Sequence, residues 1–248
     1  MTYMLGIDVG GTGTKAAIVN TETGELNTPK YKYATPKPST PSNVVGVIEK
    51  LIKDTGWDGN DFGCGIPGIV KNQTCLSAAN IDDEWINLDL EPFFKDQIDY
   101  DVTFINDADA AGLAEMRFGK GRGRNGTIIL ITLGTGIGAG LFCDGKLVPN
   151  AEFGHLLYKE SVFEHYASNG ARKNKNLSWS EWGKELDTYL NHLNLLLSPD
   201  MIIIGGGVSK HFKHYEPFLS VGTEVVPALL QNNAGIIGAA LCAKEARE

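Results

Sequence analysis

The chain has 248 residues, 42% of them apolar and 21% charged, with a formal net charge of -8 at pH 7. This is a globular composition, long enough for one large or two small domains, and its acidity argues against nucleic acid as a partner, since that binding depends on neutralising phosphates. Four scattered cysteines with no CxxC argue against a disulfide framework, and no run reaches the roughly 18 apolar residues of a membrane span, so a reduced, cytoplasmic setting without a membrane partner is expected.

In chain order, Met4 to Val9 is an apolar run broken by Asp8, followed by the turn Gly10-Gly11-Thr12-Gly13-Thr14. Lys15 to Val19 is apolar again and ends in the turn Asn20 to Gly24, so the segment reads as strand, glycine turn, strand, turn, third strand. A proline-rich approach leads into a helix from Ser42 to Thr55 that stops near Gly56. Val102 to Ile105 is a strand, and Asp107 to Phe118 is the helix after it. Halfway along, the opening pattern returns: Thr127 to Leu133, the turn Gly134-Thr135-Gly136-Ile137-Gly138, Ala139 to Cys143, Asp144-Gly145, then Lys146 to Val148. Lys159 to Leu177 is polar without a period and reads as a loop. Ser178 to Leu197 is the longest helix, with Ser178 and Glu181 as a capping box. Its stripe of Trp179, Trp182, Leu186, Tyr189, Leu193 and Leu197 reads as core. Met201 to Ile204 is a buried strand, Gly205-Gly206-Gly207 opens another helix, and the last helix runs from about Gly235 to Glu245.

Strands alternate with helices, which is the α/β class. The long repeat predicts two similar halves facing one cleft: residues 1–105 as an N-terminal domain, 106–234 as a C-terminal one, and a C-terminal helix of about 235–248 packing back on the first.

Backbone N–H groups in a tight glycine turn form an anion-binding concavity. Thr12, Thr14 and Thr135 add hydroxyls and Lys15 a charge, so two matched turns predict a phosphate clamp, where one alone is an ordinary hairpin. No GxxxxGK[ST] is present, and a GxGxxA match at Gly134 to Ala139 leads into a strand where a dinucleotide motif must open a helix. Asp107 sits where a strand ends and a helix begins, beyond the carboxyl end of the strand, where α/β sheets bind ligands. It reads either as a helix cap or as a base that accepts a hydroxyl proton. Asp109 reads as a first-turn helix charge. Glu152 and His155, three residues apart, can reach one polyhydroxylated ligand, and the Asn80 amide can hold a hydroxyl or cap a turn. Arg117, Lys120, Arg122 and Arg124, interleaved with glycines, read as a solvated flexible loop or as a track for a long polyanion.

Taken together these residues resemble the ROK sugar kinases. Asp8 to Lys15 is similar to their first phosphate motif, Asn106-Asp107 to their catalytic Asn-Asp, and Leu133 to Gly138 to their second phosphate motif. Glu152-Phe153-Gly154-His155 is similar to their sugar-binding ExGH, and Gly205-Gly206-Gly207-Val208 to their nucleotide-side glycine motif. No cysteine lies between Cys143 and Cys242, so the zinc motif of many members is missing and no structural zinc is expected. That absence resembles the polyphosphate glucokinase branch, as do Arg117-Phe118-Gly119, Leu177-Ser178-Trp179, Ser198-Pro199-Asp200 and Leu230 to Gly235.

The resemblance implies an actin-like, ribonuclease H-like two-domain fold, a homodimer, and phosphorylation of glucose at its 6-hydroxyl. The implied donor is inorganic polyphosphate, ATP or both, with Mg²⁺ on the donor phosphates, near Asp8. It makes Asp107 the catalytic base and gives glucose to Asn80, Asn106, Asp107, Glu152 and His155, with Glu164 as candidate for a further carboxylate. The donor falls to Asp8, Gly10, Gly11, Thr12, Gly13, Thr14, Lys15, Gly134, Thr135, Gly136, Gly206 and Gly207, and a long polyphosphate also to Lys120, Arg122 and Arg124. A phosphatase, a kinase for mannose or an N-acetyl sugar, and a non-catalytic sugar sensor remain as alternative readings.

Overall fold

The computed structural model describes residues 2–247. The chain divides into two compact units, the first up to Ala114 and again from Asn233, the second from Glu115 to Asn232.

Unit 1 is built on a five-stranded sheet. Its strands are β1 (Tyr3–Val9), β2 (Gly13–Asn20), β3 (Tyr31–Ala34), β4 (Asp61–Ile66) and β5 (Asp101–Asn106), in the order β3-β2-β1-β4-β5. The first three form an antiparallel meander, joined by the glycine turn and by the 21–30 connection, and β4 and β5 run parallel to β1. Helix α1 (Pro41–Thr55) begins at Thr40, whose hydroxyl accepts from Asn43 N–H, and ends at Gly56 in the left-handed region. Its apolar stripe Val44, Val45, Ile48, Leu51 and Ile52 is buried. Helix α2 (Leu90–Ile98) buries Leu90 and Phe94, and α3 (Asp107–Phe118) follows β5 directly. The C-terminal helix, α5 (Ala234–Glu245), lies on β1, β4 and β5. Glycine allows that close seat: a Cβ at Gly63 would come within 1.8 Å of Ala239 O.

Unit 2 repeats the plan. Its strands are β6 (Thr127–Leu133), β7 (Ile137–Cys143), β8 (Lys146–Val148), β9 (Met201–Gly205) and β10 (Glu224–Pro227), in the order β8-β7-β6-β9-β10. The meander is again antiparallel and the last two strands again parallel. Helix α4 (Trp179–Leu197) starts with the complete capping box at Ser178 and Glu181 and buries Trp182, Leu186, Tyr189, Leu190 and Leu193. Trp179 is half-buried, with the Arg172 guanidinium 4.0 Å from its ring centre.

Two expectations are corrected here. The segment 159–177 is not simply a loop: a short hairpin (Leu157–Tyr158 with Ser161–Val162) leads to helices at Glu164–Ala167 and Asn169–Asn174, the latter capped by Ser168. Helices of four and six residues are too short to show a period. The Gly205-Gly206-Gly207 turn opens a 3₁₀ segment (Gly207–His211) and then one turn of α-helix (Phe212–Tyr215), where a regular helix was expected. All four cysteines are free thiols. Among the described residues no helix is long and apolar enough to cross a membrane.

Candidate active site

Unit 1 carries its site residues at the carboxyl ends of β1 and β5. Gly10 N–H donates to Gly13 O at 3.1 Å and closes the first glycine turn, leaving Thr12 exposed. Asp8 and Lys15 stand directly opposite on β1 and β2 and form an ion pair of 2.9 Å. Thr14, expected to offer its hydroxyl to phosphate, turns it inward instead. It is fully buried 3.1 Å from the Thr35 hydroxyl, which donates to Gly10 O. Strand alternation is the cause, since Lys15 and Thr14 must point to opposite faces. Thr14 therefore braces the turn from behind. Asn80 lies beside the same turn, where a Cβ at Gly11 would come within 2.8 Å of the Asn80 Cβ. It is exposed, with φ 64°, a left-handed conformation that asparagine tolerates.

Asn106 is buried and makes the strand–helix junction. Its Oδ1 accepts from the N–H groups of Ala108 (2.9 Å) and Asp109 (3.0 Å), and its Nδ2 donates to Gly68 O (3.1 Å). Asn106 is thus the cap of α3, and Asp107 is that helix's first residue. The helix dipole favours a charged carboxylate there. Asp109 stands in the first turn of α3, as expected, and is buried. Sequence reasoning missed Gln73, whose side chain accepts from Phe104 N–H (2.7 Å) and donates to Phe104 O (3.3 Å). That amide stands in for a neighbouring strand along the edge of β5, just before Asn106. No period or motif marks it.

In unit 2, Gly134 N–H donates to Gly136 O at 3.0 Å, and Gly134 and Thr135 are exposed. Gly206, at φ 76°, seats the triple-glycine turn on this hairpin: a Cβ there would meet Leu133 O at 2.6 Å. Glu152, His155 and Glu164 come together. His155 Nδ1 is 3.6 Å from Glu152, and its Nε2 is 3.9 Å from Glu164. Glu164 Oε2 also accepts from Ile137 N–H at 3.2 Å, so one carboxylate touches both the His155 group and the glycine hairpin. Burial pushes the Glu152 carboxyl up from its ordinary value, the His155 charge opposes this and Glu164 adds to it. Behind them the buried Tyr189 phenol is pushed up, first by burial and then by the Glu152 and Glu164 charges.

Lys120, Arg122 and Arg124 are exposed, and Arg124 pairs with Glu224 at 3.1 Å. Their loop is a series of tight turns held by a second residue sequence reasoning missed. The buried Glu115 accepts from Lys120 N–H (3.0 Å) and Leu230 N–H (2.6 Å) through its two oxygens. Among the described residues no group of three or more His, Cys, Asp or Glu is arranged to hold a metal ion.

Two meanders of the same strand order, each with a glycine turn between its first two strands, belong to the actin-like, ribonuclease H-like fold of sugar kinases. The chain belongs to the ROK family, whose model matches residues 4–172. It is 40% identical to the polyphosphate glucokinase of Mycobacterium tuberculosis (strain CDC 1551 / Oshkosh) over 95% of this chain and 89% of that one. The crystal structure of inorganic polyphosphate/ATP-glucomannokinase from Arthrobacter sp. strain KM superposes with a TM-score of 0.93 and 42% identity, over 97% of this chain and 98% of that one. A ROK family glucokinase from Streptomyces griseus, crystallised with glucose and AMPPNP, gives 0.82 and 27%, over 98% of this chain and 99% of that one.

Proposed function

We propose that this protein is a kinase that transfers a phosphoryl group from inorganic polyphosphate or ATP to the 6-hydroxyl of glucose. The observation that carries the reading is the Asn106-Asp107 junction. Asn106 supplies the helix cap, and Asp107 stands in the first turn of α3, where the helix dipole favours a charged carboxylate able to accept a proton. The 6-hydroxyl oxygen attacks phosphorus, the bond to the leaving phosphate oxygen breaks, and the hydroxyl proton passes to the Asp107 carboxylate. Asn80, Asn106, Glu152, His155 and Glu164 are assigned to the sugar. The hairpin amides at Gly10 to Gly13 and Gly134 to Gly136, together with Lys15 and the Gly206-Gly207 turn, are assigned to the donor.

Mg²⁺ on the donor phosphates supplies charge neutralisation. Asp8, a carboxylate beside the first turn with one oxygen engaged by Lys15, is the hard ligand that suits it. Assembly as a homodimer is part of the proposal. Light scattering tests it, with an expected mass twice the 26.8 kDa of the chain.

The test of the activity is a coupled assay of purified protein on glucose, with polyphosphate and ATP compared. Formation of glucose 6-phosphate with at least one donor is expected. No product with either donor overturns the reading, and turnover on mannose or an N-acetyl sugar in preference to glucose replaces it.

A further inference from the structure

We propose that Lys32 is a donor-binding residue, the cation that the first glycine turn presents to the donor phosphates. The inference rests on the kinase reading above and adds a residue to its donor site.

Lys15 and Lys32 are direct partners across the β2–β3 ladder, and Asp8 and Lys15 are direct partners across β1–β2. Directly opposed residues share a face of a sheet, so Asp8, Lys15 and Lys32 form one row on one face. Gly13 lies two residues before Lys15, so it belongs to the same face. The Lys32 side chain lies over it: a Cβ at Gly13 would meet Lys32 Cε at 2.6 Å and Nζ at 3.5 Å. The ammonium is thereby parked against the phosphate turn itself, and glycine at position 13 is what lets it lie there.

Of the lysines near this turn, Lys15 is engaged by Asp8 at 2.9 Å and Lys30 donates to Asn233 Oδ1 at 2.7 Å. Lys32 is exposed, and among the described residues no acceptor pairs with it. Two like charges directly opposed on a ladder destabilise it, and only one of the pair has a counter-ion. The arrangement is therefore unfavourable until an anion arrives, and a phosphoryl donor is such an anion. An ammonium acts as a point charge without a preferred plane, so it serves a polyphosphate and the phosphates of ATP alike.

The test uses the full chain with Lys32→Met, which keeps the aliphatic stem over Gly13, and Lys32→Arg, which keeps the charge. With glucose saturating, Lys32→Met should raise the KM for polyphosphate and for ATP by about 5- to 20-fold, between the size of an exposed ion pair and that of a charge-assisted hydrogen bond to phosphate. The glucose KM and kcat should stay within about 2-fold, and Lys32→Arg should restore the donor KM to within about 3-fold of wild type, since the charge and not the stem is at issue. The ligand-free Tm of Lys32→Met should equal or exceed that of wild type, because a repulsive pair is removed. An unchanged donor KM, or a fall in kcat matched by a rise in glucose KM, overturns the proposal. Should Lys32→Met fail to fold, Lys32→Gln is read the same way. A wild-type protein inactive on glucose with both donors sinks the kinase reading and leaves a separate readout. Inorganic tripolyphosphate should then raise the Tm of wild type more than that of Lys32→Met, and equal shifts overturn the role of Lys32.

Discussion

Asp107 illustrates how much of the site one residue can carry and how little the sequence says about it alone. A carboxylate after a strand is a helix cap or a base, and the neighbouring Asn106 takes the cap, which supports the proposed role of Asp107 as the base. Asp107→Asn should therefore lower kcat by about 10²- to 10⁴-fold, the range for a lost general base. Its Tm should be near that of wild type, because the cap is untouched. Near-normal turnover in this variant would remove Asp107 from the mechanism. Glu152 gives the opposite pattern. Its carboxyl is raised above the ordinary 4.5, mainly by burial, so the folded state holds that proton more tightly than the unfolded chain does. Stability from this group is full below 4.5 and is lost as pH rises through the folded-state value. Glu152→Gln should raise Tm at pH 7, with the gain vanishing below the ordinary value, while the glucose KM rises roughly 10- to 100-fold. Thermal melts across pH 4 to 8, beside glucose titrations, check both halves, and a Tm gain that does not depend on pH would reject the burial cause. Position and spacing, together with the motif resemblance, singled out Glu152, His155 and Asp107 as candidates. The direction of Thr14 was not legible, because its neighbour Lys15 claims the open face, and Gln73 and Glu115 act through single contacts that no pattern records.

At the scale of elements, the two glycine meanders were legible because a repeat doubles every signal: apolar run, glycine turn, apolar run, short turn. The segment from Leu157 to Asn174 was not, since its helices last about one turn and are held by Ser168 and by Glu164 reaching Ile137 N–H. The contact from Glu164 to Ile137 spans 27 positions and has no footprint in local sequence. The basic loop after α3 is intermediate. Its charges were legible, but the buried Glu115 that fixes it in tight turns was not. A fixed loop holds its cations at constant spacing, which suits a polymer of regular charge. Replacing Lys120 and Arg122 by Gln should raise the KM for long polyphosphate by about 3- to 10-fold and the KM for ATP by less than 2-fold, one exposed charge being worth up to about 1 kcal/mol. Arg124→Gln should do less, because its guanidinium is engaged by Glu224. Initial rates with both donors measure this, and an equal effect on the two would return the loop to solvent.

For the whole molecule the governing quantity is charge. The chain carries -8 and its donor is a polyanion, so the mean field repels what the local cations attract. The two act over different ranges. Carboxylates are spread over the surface and act over the Debye length, which is about 30 Å at 0.01 M salt and about 8 Å at 0.15 M. The donor contacts proposed for Lys15, Lys32, Lys120 and the hairpin amides would act at short range, where salt screens less. Added salt must therefore remove the repulsion first and weaken the contacts later. The KM for long polyphosphate, at fixed Mg²⁺, should fall by about 2- to 5-fold as ionic strength rises from near 0.01 M to near 0.1 M, then climb again at higher salt. The KM for ATP, with fewer charges, should follow a shallower curve, and the KM for neutral glucose should not move. A polyphosphate KM that rises steadily from the lowest salt would mean that contact attraction dominates at every distance, and that the acidity of the chain plays no part in choosing the donor.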